Sequence, residues 1–92
     1  MDKKHLVDRI VSVSDLAAEP IPGRTLIEIV DDSSVLIENY CSVILYCPDC
    51  ISVRTKHGCV AVIGSGLVLA RMAMDQLKII GKIHRVDLQG MQ

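Results

Sequence analysis

Ninety-two residues carrying ten basic and eleven acidic side chains, for a net charge of −1, lack the electrostatic footprint of a nucleic-acid binder, so no nucleic acid is expected as a partner. Half of the residues are apolar but the aromatics are two Tyr only, which leaves one small aliphatic core of Ile, Val and Leu to hold the domain together. Four Cys, with no apolar leader behind Met1-Asp2-Lys3-Lys4-His5, are expected to be reduced thiols of a soluble cytoplasmic chain rather than a disulfide framework.

In chain order, Leu6, Val7, Ile10 and Val11 recur at helical spacing, with Lys4, Asp8 and Arg9 opposite, and predict a short amphipathic helix within residues 3–13. Glu19-Pro20-Ile21-Pro22-Gly23 then excludes regular structure. Residues 1–23 are therefore an arm and residues 24–92 a β domain.

From Arg24 the apolar period becomes two, and β-rich runs recur between turn residues. Eight strands are predicted: 24–30, 35–40, 43–46, 51–55, 59–63, 67–72, 76–80 and 82–88. Asp31-Asp32-Ser33-Ser34, Cys41-Ser42, Cys47-Pro48-Asp49-Cys50, Lys56-His57-Gly58, Gly64-Ser65-Gly66, Ala73-Met74-Asp75 and Gly81 separate them. This is an all-β antiparallel meander that closes into a sandwich or a curled sheet. The longest uncharged run, residues 58–70, is too short for a membrane-spanning helix and contains Gly64 and Gly66, so direct membrane insertion is not expected.

Val43–Leu45, Val60–Ile63 and Leu67–Ala70 are apolar on both faces, more than a two-layer domain of this length can cover. Leu6, Val7, Ile10 and Val11 of the arm are too few to hide such a surface. Protein partners are expected, first a second copy in a two-fold dimer formed face to face or through sheet edges.

Cys47-Pro48-Asp49-Cys50 has the spacing of a zinc knuckle or a redox dithiol, and Cys41 and Cys59 could complete four zinc ligands. Each reading lacks a part. A redox pair of the thioredoxin kind opens a helix, whereas Cys50 runs into a strand, and the zinc reading has a single CxxC. Apolar structural thiols are the leading reading; a zinc-binding or thiol-redox module using Cys47 and Cys50 is the alternative. His5, His57 and His84 lie in the arm, a turn and a strand, with no spacing that sets one against a nucleophile, so no catalytic residue is expected. Gly64-Ser65-Gly66 is followed by a strand rather than a helix N-terminus, which makes it a hairpin turn and not a phosphate cradle. No cofactor is expected. Glu38 and Asn39, adjacent on a strand, point to opposite faces, and Asn39 should bond backbone at a bend or bulge.

The run Ile37-Glu38-Asn39-Tyr40, then Ile44-Leu45-Tyr46, Ile51-Ser52-Val53-Arg54-Thr55, Gly58, Gly64, Leu67 and Leu77-Lys78-Ile79-Ile80-Gly81-Lys82-Ile83, resembles the YabP/YqfC family of sporulation proteins, most closely its YqfC branch. The resemblance covers about residues 16 to 88 and makes Glu38, Asn39, Tyr40, Gly58, Gly64 and Gly81 the structural positions to watch. Cys41-Ser42 stands where the family often has a basic residue and a glycine, and Asp31-Asp32-Ser33-Ser34 replaces the glycine usual before the central block. The resemblance implies a non-enzymatic structural or scaffold protein of endospore formation, acting in the mother-cell compartment in spore-coat or envelope assembly. It also implies, as a partner, a sporulation membrane protein of the YqfD type.

Overall fold

In the computed structural model, which describes residues 23–90, alternation of β-branched and polar residues produces six antiparallel strands: β1 (Leu26–Val30), β2 (Ser34–Glu38), β3 (Tyr40–Cys47), β4 (Cys50–Thr55), β5 (Cys59–Met72) and β6 (Gln76–Gln89). The helix expected within residues 3–13 lies outside the described residues, among which there is no helix. The strands form one sheet in the order β1-β2-β6-β5-β4-β3. The all-β antiparallel expectation holds; the number of strands does not.

The difference lies in β5 and β6. The predicted strands 59–63 and 67–72 are one 14-residue strand, and so are 76–80 and 82–88. Gly64-Ser65-Gly66 and Gly81 do not turn the chain; they bend this long hairpin in its middle. The first part of β5, up to Ile63, pairs with β4, and the first part of β6, up to Ile80, pairs back to β2, as in Val53↔Val60 and Val35↔Ile79. The sheet is thereby folded into two halves around a single cluster. Val35, Ile37, Leu77 and Ile79 come from one half, Ile51, Val53, Val60, Val62 and Ile83 from the other, and Leu67 from the bend. Each fully buried Ile or Leu contributes about 1.5–3 kcal/mol by leaving water, so the halves are bound into one unit.

The bend needs glycine for two separate reasons. A Cβ on Gly64 would fall on the Lys82 carbonyl, and one on Gly81 would lie 2.8 Å from the Gly66 oxygen at a φ of +137°. Register shifts between Ile63 and Gly64, Ser65 and Val68, and Leu69 and Arg71 accompany it. The alternation changes phase accordingly, from Val60 and Val62 facing the core to Leu67 and Leu69.

Bending takes backbone N–H groups out of the ladder, and the two hairpin turns supply their acceptors. On the β6 side the β1–β2 turn presents Asp32 O to Ile83 N at 2.7 Å and Ser33 O to Gly81 N at 3.2 Å. On the β5 side the β3–β4 turn presents Pro48 O to Leu67 N at 2.8 Å and Asp49 O to Gly64 N at 3.1 Å. Four amides are satisfied by four turn carbonyls. Asp31 adopts a φ of +47° to shape the first of these turns, which suits an Asp.

The break between β2 and β3 falls at Asn39, not at the predicted Cys41-Ser42, which lies within β3. Asn39 has a φ of +64°, a left-handed conformation that Asn tolerates better than most residues. The β3–β4 ladder shifts register at Cys41 and again at Ile44. Val60, Ala61 and Val62, expected to need an outside cover, are buried within the fold, whereas Ile44, Leu45 and Val68 stay exposed.

Candidate functional site

Three parts of the surface hold residues with chemical or recognition potential. The first is the crossing from β2 to β3. Glu38 faces Gln76 across the ladder and accepts a hydrogen bond from its Nε2 at 3.2 Å. Asn39 N bonds Asp75 O at 2.7 Å, and Asn39 Nδ2 donates to Arg24 O at 2.7 Å, which fixes the chain leading into β1. Tyr40 OH donates to Ala73 O at 2.7 Å. Glu38, Asn39 and Tyr40 thus join three chain segments at one end of the sheet. Gly58 closes the β4–β5 turn, its N bonding Thr55 Oγ1 at 3.1 Å and its O accepting from Thr55 N at 2.7 Å.

The second part is the thiols. Cys47 and Cys50 are register partners flanking the two-residue turn Pro48-Asp49, both half-buried. Cys41 lies at the opposite end of β3, and Cys59 pairs with Arg54 and Gln89. The sheet does not gather the four predicted zinc ligands: among the described residues no group of three His, Cys, Asp or Glu could hold a metal ion. The distances along β3 explain it, since six residues of strand separate Cys41 from Cys47 by about 20 Å.

The third part is a shallow depression of about 250 Å³ on the outer face of the β1–β2 half, lined by Glu28, Ser34, Leu36, Arg71, Gln76 and Lys78. Glu28, Leu36 and Lys78 form one cross-strand row. Opposite charges at its two ends mark it as a solvated sheet face, and no buried side-chain polar atom of the described residues lacks a partner. Ser65 Oγ and His84 Nε2 stand 3.5 Å apart at the exposed bend, a long hydrogen-bond contact between a hydroxyl and an imidazole that the sequence spacing did not predict. Lys82 pairs with Asp32 beside it, and that hydrogen bond and charge hold the Asp32 carboxyl below its ordinary pKa.

Sequence reasoning singled out Tyr40 as a structural position without its partner, and missed Tyr46. Tyr40 reaches Ala73 O and Tyr46 OH accepts from Leu69 N at 3.2 Å, so the two side chains tie β3 to the β5–β6 turn and to the second half of β5 respectively. Their spacing of six along one strand, in a chain with no other aromatic, was the available signal. Next to them Ile44, Leu45 and Tyr46 are each about half exposed.

Compared with known proteins, residues 22–92 match the family model described as the YabP family. Neither the search of curated proteins nor that of solved structures gives a match.

Proposed function

This chain belongs to the YabP family, hence to a group of sporulation-related proteins, and from that premise we propose that it is a non-enzymatic scaffold of endospore formation acting through protein–protein contacts of its sheet. The YqfC branch is our finer reading, supported by Ile37-Glu38-Asn39-Tyr40 and the Leu77–Ile83 ending. The observation that carries the scaffold reading is where the apolar side chains go. Ile29, Val30, Ile44, Leu45, Tyr46, Val68 and Met72 are exposed on strands, in a sheet whose polar groups are engaged in holding its own bend. Such a surface recognises protein. In this reading the chain self-associates, works in the mother-cell cytoplasm on coat or envelope assembly, and meets a membrane protein of the YqfD type there.

A strain lacking the protein tests this. It should form spores with a defective envelope, and a copy carrying Ser65→Ala with His84→Ala should restore them. Normal spores from the deletion strain would refute the sporulation role, and failure of the double variant, present at wild-type level, would refute the non-enzymatic part.

A further inference from the structure

The fold leaves four stretches of strand without a ladder partner on one side among the described residues: β1, β3, β5 beyond its bend and β6 beyond its bend. They are not equivalent. β1 carries Glu28 at its centre, and β6 beyond the bend carries His84, Arg85 and Asp87. β5 beyond the bend carries Arg71, and Tyr46 already occupies its Leu69 amide. Charges of this kind are the usual guard on a sheet edge. β3, Tyr40–Cys47, has eight residues with no charge and no proline, and the irregularities at Cys41 and Ile44 are the one guard it carries.

We propose that β3 is the edge through which the protein binds a second copy of itself, the two β3 strands pairing antiparallel about a two-fold axis near Val43 and Ile44. The inference rests on the self-associating scaffold reading and names its contact surface. Three observations carry it. Ile44, Leu45 and Tyr46 are 49%, 45% and 52% exposed in the single chain, so pairing would remove apolar surface from water as well as join backbones. Tyr40 and Tyr46 anchor the strand at both ends, so little order is lost on association. A second copy is the fitting occupant because an uncharged strand offers a charged partner nothing to complement, while against itself it sets no like charges opposite one another. β1 against β1 would bring Glu28 close to its own copy, so the same contact does not propagate into a fibre from the other edge.

The geometry makes a specific demand on two thiols. Counted by residue, a two-fold centred on Ile44 sets Cys41 of one copy opposite Cys47 of the other and one centred on Val43 sets them on a diagonal; the irregularities at Cys41 and Ile44 displace this by about one residue, which leaves the two thiols on the order of 5–10 Å apart. Within one chain the two are about 20 Å apart, so a short linker between Cys41 and Cys47 has to join two chains.

The test combines mass with cross-linking. Light scattering of the full chain across the micromolar range should give a dimer, Leu45→Lys should give a monomer with unchanged circular dichroism, and Ile29→Lys should remain a dimer. A short bismaleimide applied to the Cys50→Ser, Cys59→Ser variant should yield a dimer whose cross-linked peptide joins Cys41 to Cys47. A monomeric wild type would refute self-association itself, and this inference with it. A wild-type dimer that Ile29→Lys dissociates and Leu45→Lys leaves intact, or a dimer without the Cys41–Cys47 link, would overturn only the assignment to β3. If Leu45→Lys fails to fold, the cross-link decides alone.

Discussion

The bend of the β5–β6 hairpin and the β3 edge are built from similar residues and have opposite freedoms. Leu67-Val68-Leu69-Ala70 and Val43-Ile44-Leu45 read alike as apolar β-formers. At the bend every neighbour is specified: Gly64 and Gly81 admit no side chain, and four amides are taken by turn carbonyls. On β3 two tyrosines are held and, of the residues between them, Val43 packs against the core while Cys41, Ser42, Ile44 and Leu45 are exposed. Position in the sheet, more than local composition, decides which apolar run is structural and which is available.

Substitution should separate the two regions in a definite order. Gly64→Ala should have the largest effect, a loss on the order of 3 kcal/mol or outright failure to fold, because the added methyl meets the backbone carbonyl of Lys82 and no rotamer relieves it. Urea denaturation of the soluble fraction measures it, and a near-wild-type midpoint would mean the hairpin is straight. Asn39→Ala should follow at about 1–2 kcal/mol, combining a left-handed residue with loss of the bond to Arg24 O, and Asn39→Gly should recover the conformational part only. On β3, Leu45→Lys should change the stability of the single chain by no more than about 0.5 kcal/mol, since the side chain is already half in water. Thermal unfolding of dilute samples reads this, and a loss as large as that at Gly64 would erase the contrast between edge and bend.

The smallest effect belongs to the exposed Lys82–Asp32 pair beside the bend. Its hydrogen bond and charge lower the Asp32 pKa, so whatever the pair contributes is present above the unfolded carboxylate pKa and is lost as pH falls through the lower, folded value. Lys82→Met should move the Asp32 titration upward toward its ordinary value, followed by carboxyl carbon shifts, while neutral-pH stability hardly changes. An unmoved titration would show that Lys82 is not its partner.

Much of this was legible in the residues. β-rich runs placed the strands around Val35–Ile37 and Ile51–Val53, alternation in Ile51-Ser52-Val53 marked the core face of the second, and Pro48-Asp49 and Lys56-His57-Gly58 fixed two turns. Gly64-Ser65-Gly66 was misread because a glycine pair marks a reversal and a bend with the same residues. The distinction depends on whether the flanking segments pair with each other, and β4 and β2 decide that from elsewhere in the chain. The phase change from Val60 and Val62 to Leu67 and Leu69 was hidden, because both runs are apolar on both faces. The break before β3 was placed two residues late, although Asn39 is the residue there that best accepts a positive φ. The cysteines looked like a set because spacing is all a sequence offers; the register sends Cys41 and Cys47 to opposite ends of one strand. That β3 lies at an edge had no local signature at all.

The pairing of β2 with β6 has a consequence for how the protein is made. β3, β4 and β5 are successive neighbours in the chain, and their hairpins can form as soon as each is synthesised. β2 has to wait: Glu38 meets Gln76 and Ser34 meets Ile80, so its inner partner leaves the ribosome some forty residues later. Until then Val35 and Ile37 lack the Leu77 and Ile79 side chains of their core, and the β1–β2 hairpin cannot lend its turn carbonyls to Gly81 and Ile83. β6 docks that hairpin and supplies the second arm of the bend, so a chain truncated before Gln76 should leave Val35 and Ile37 more exposed than the full chain does, a difference hydrogen exchange would show.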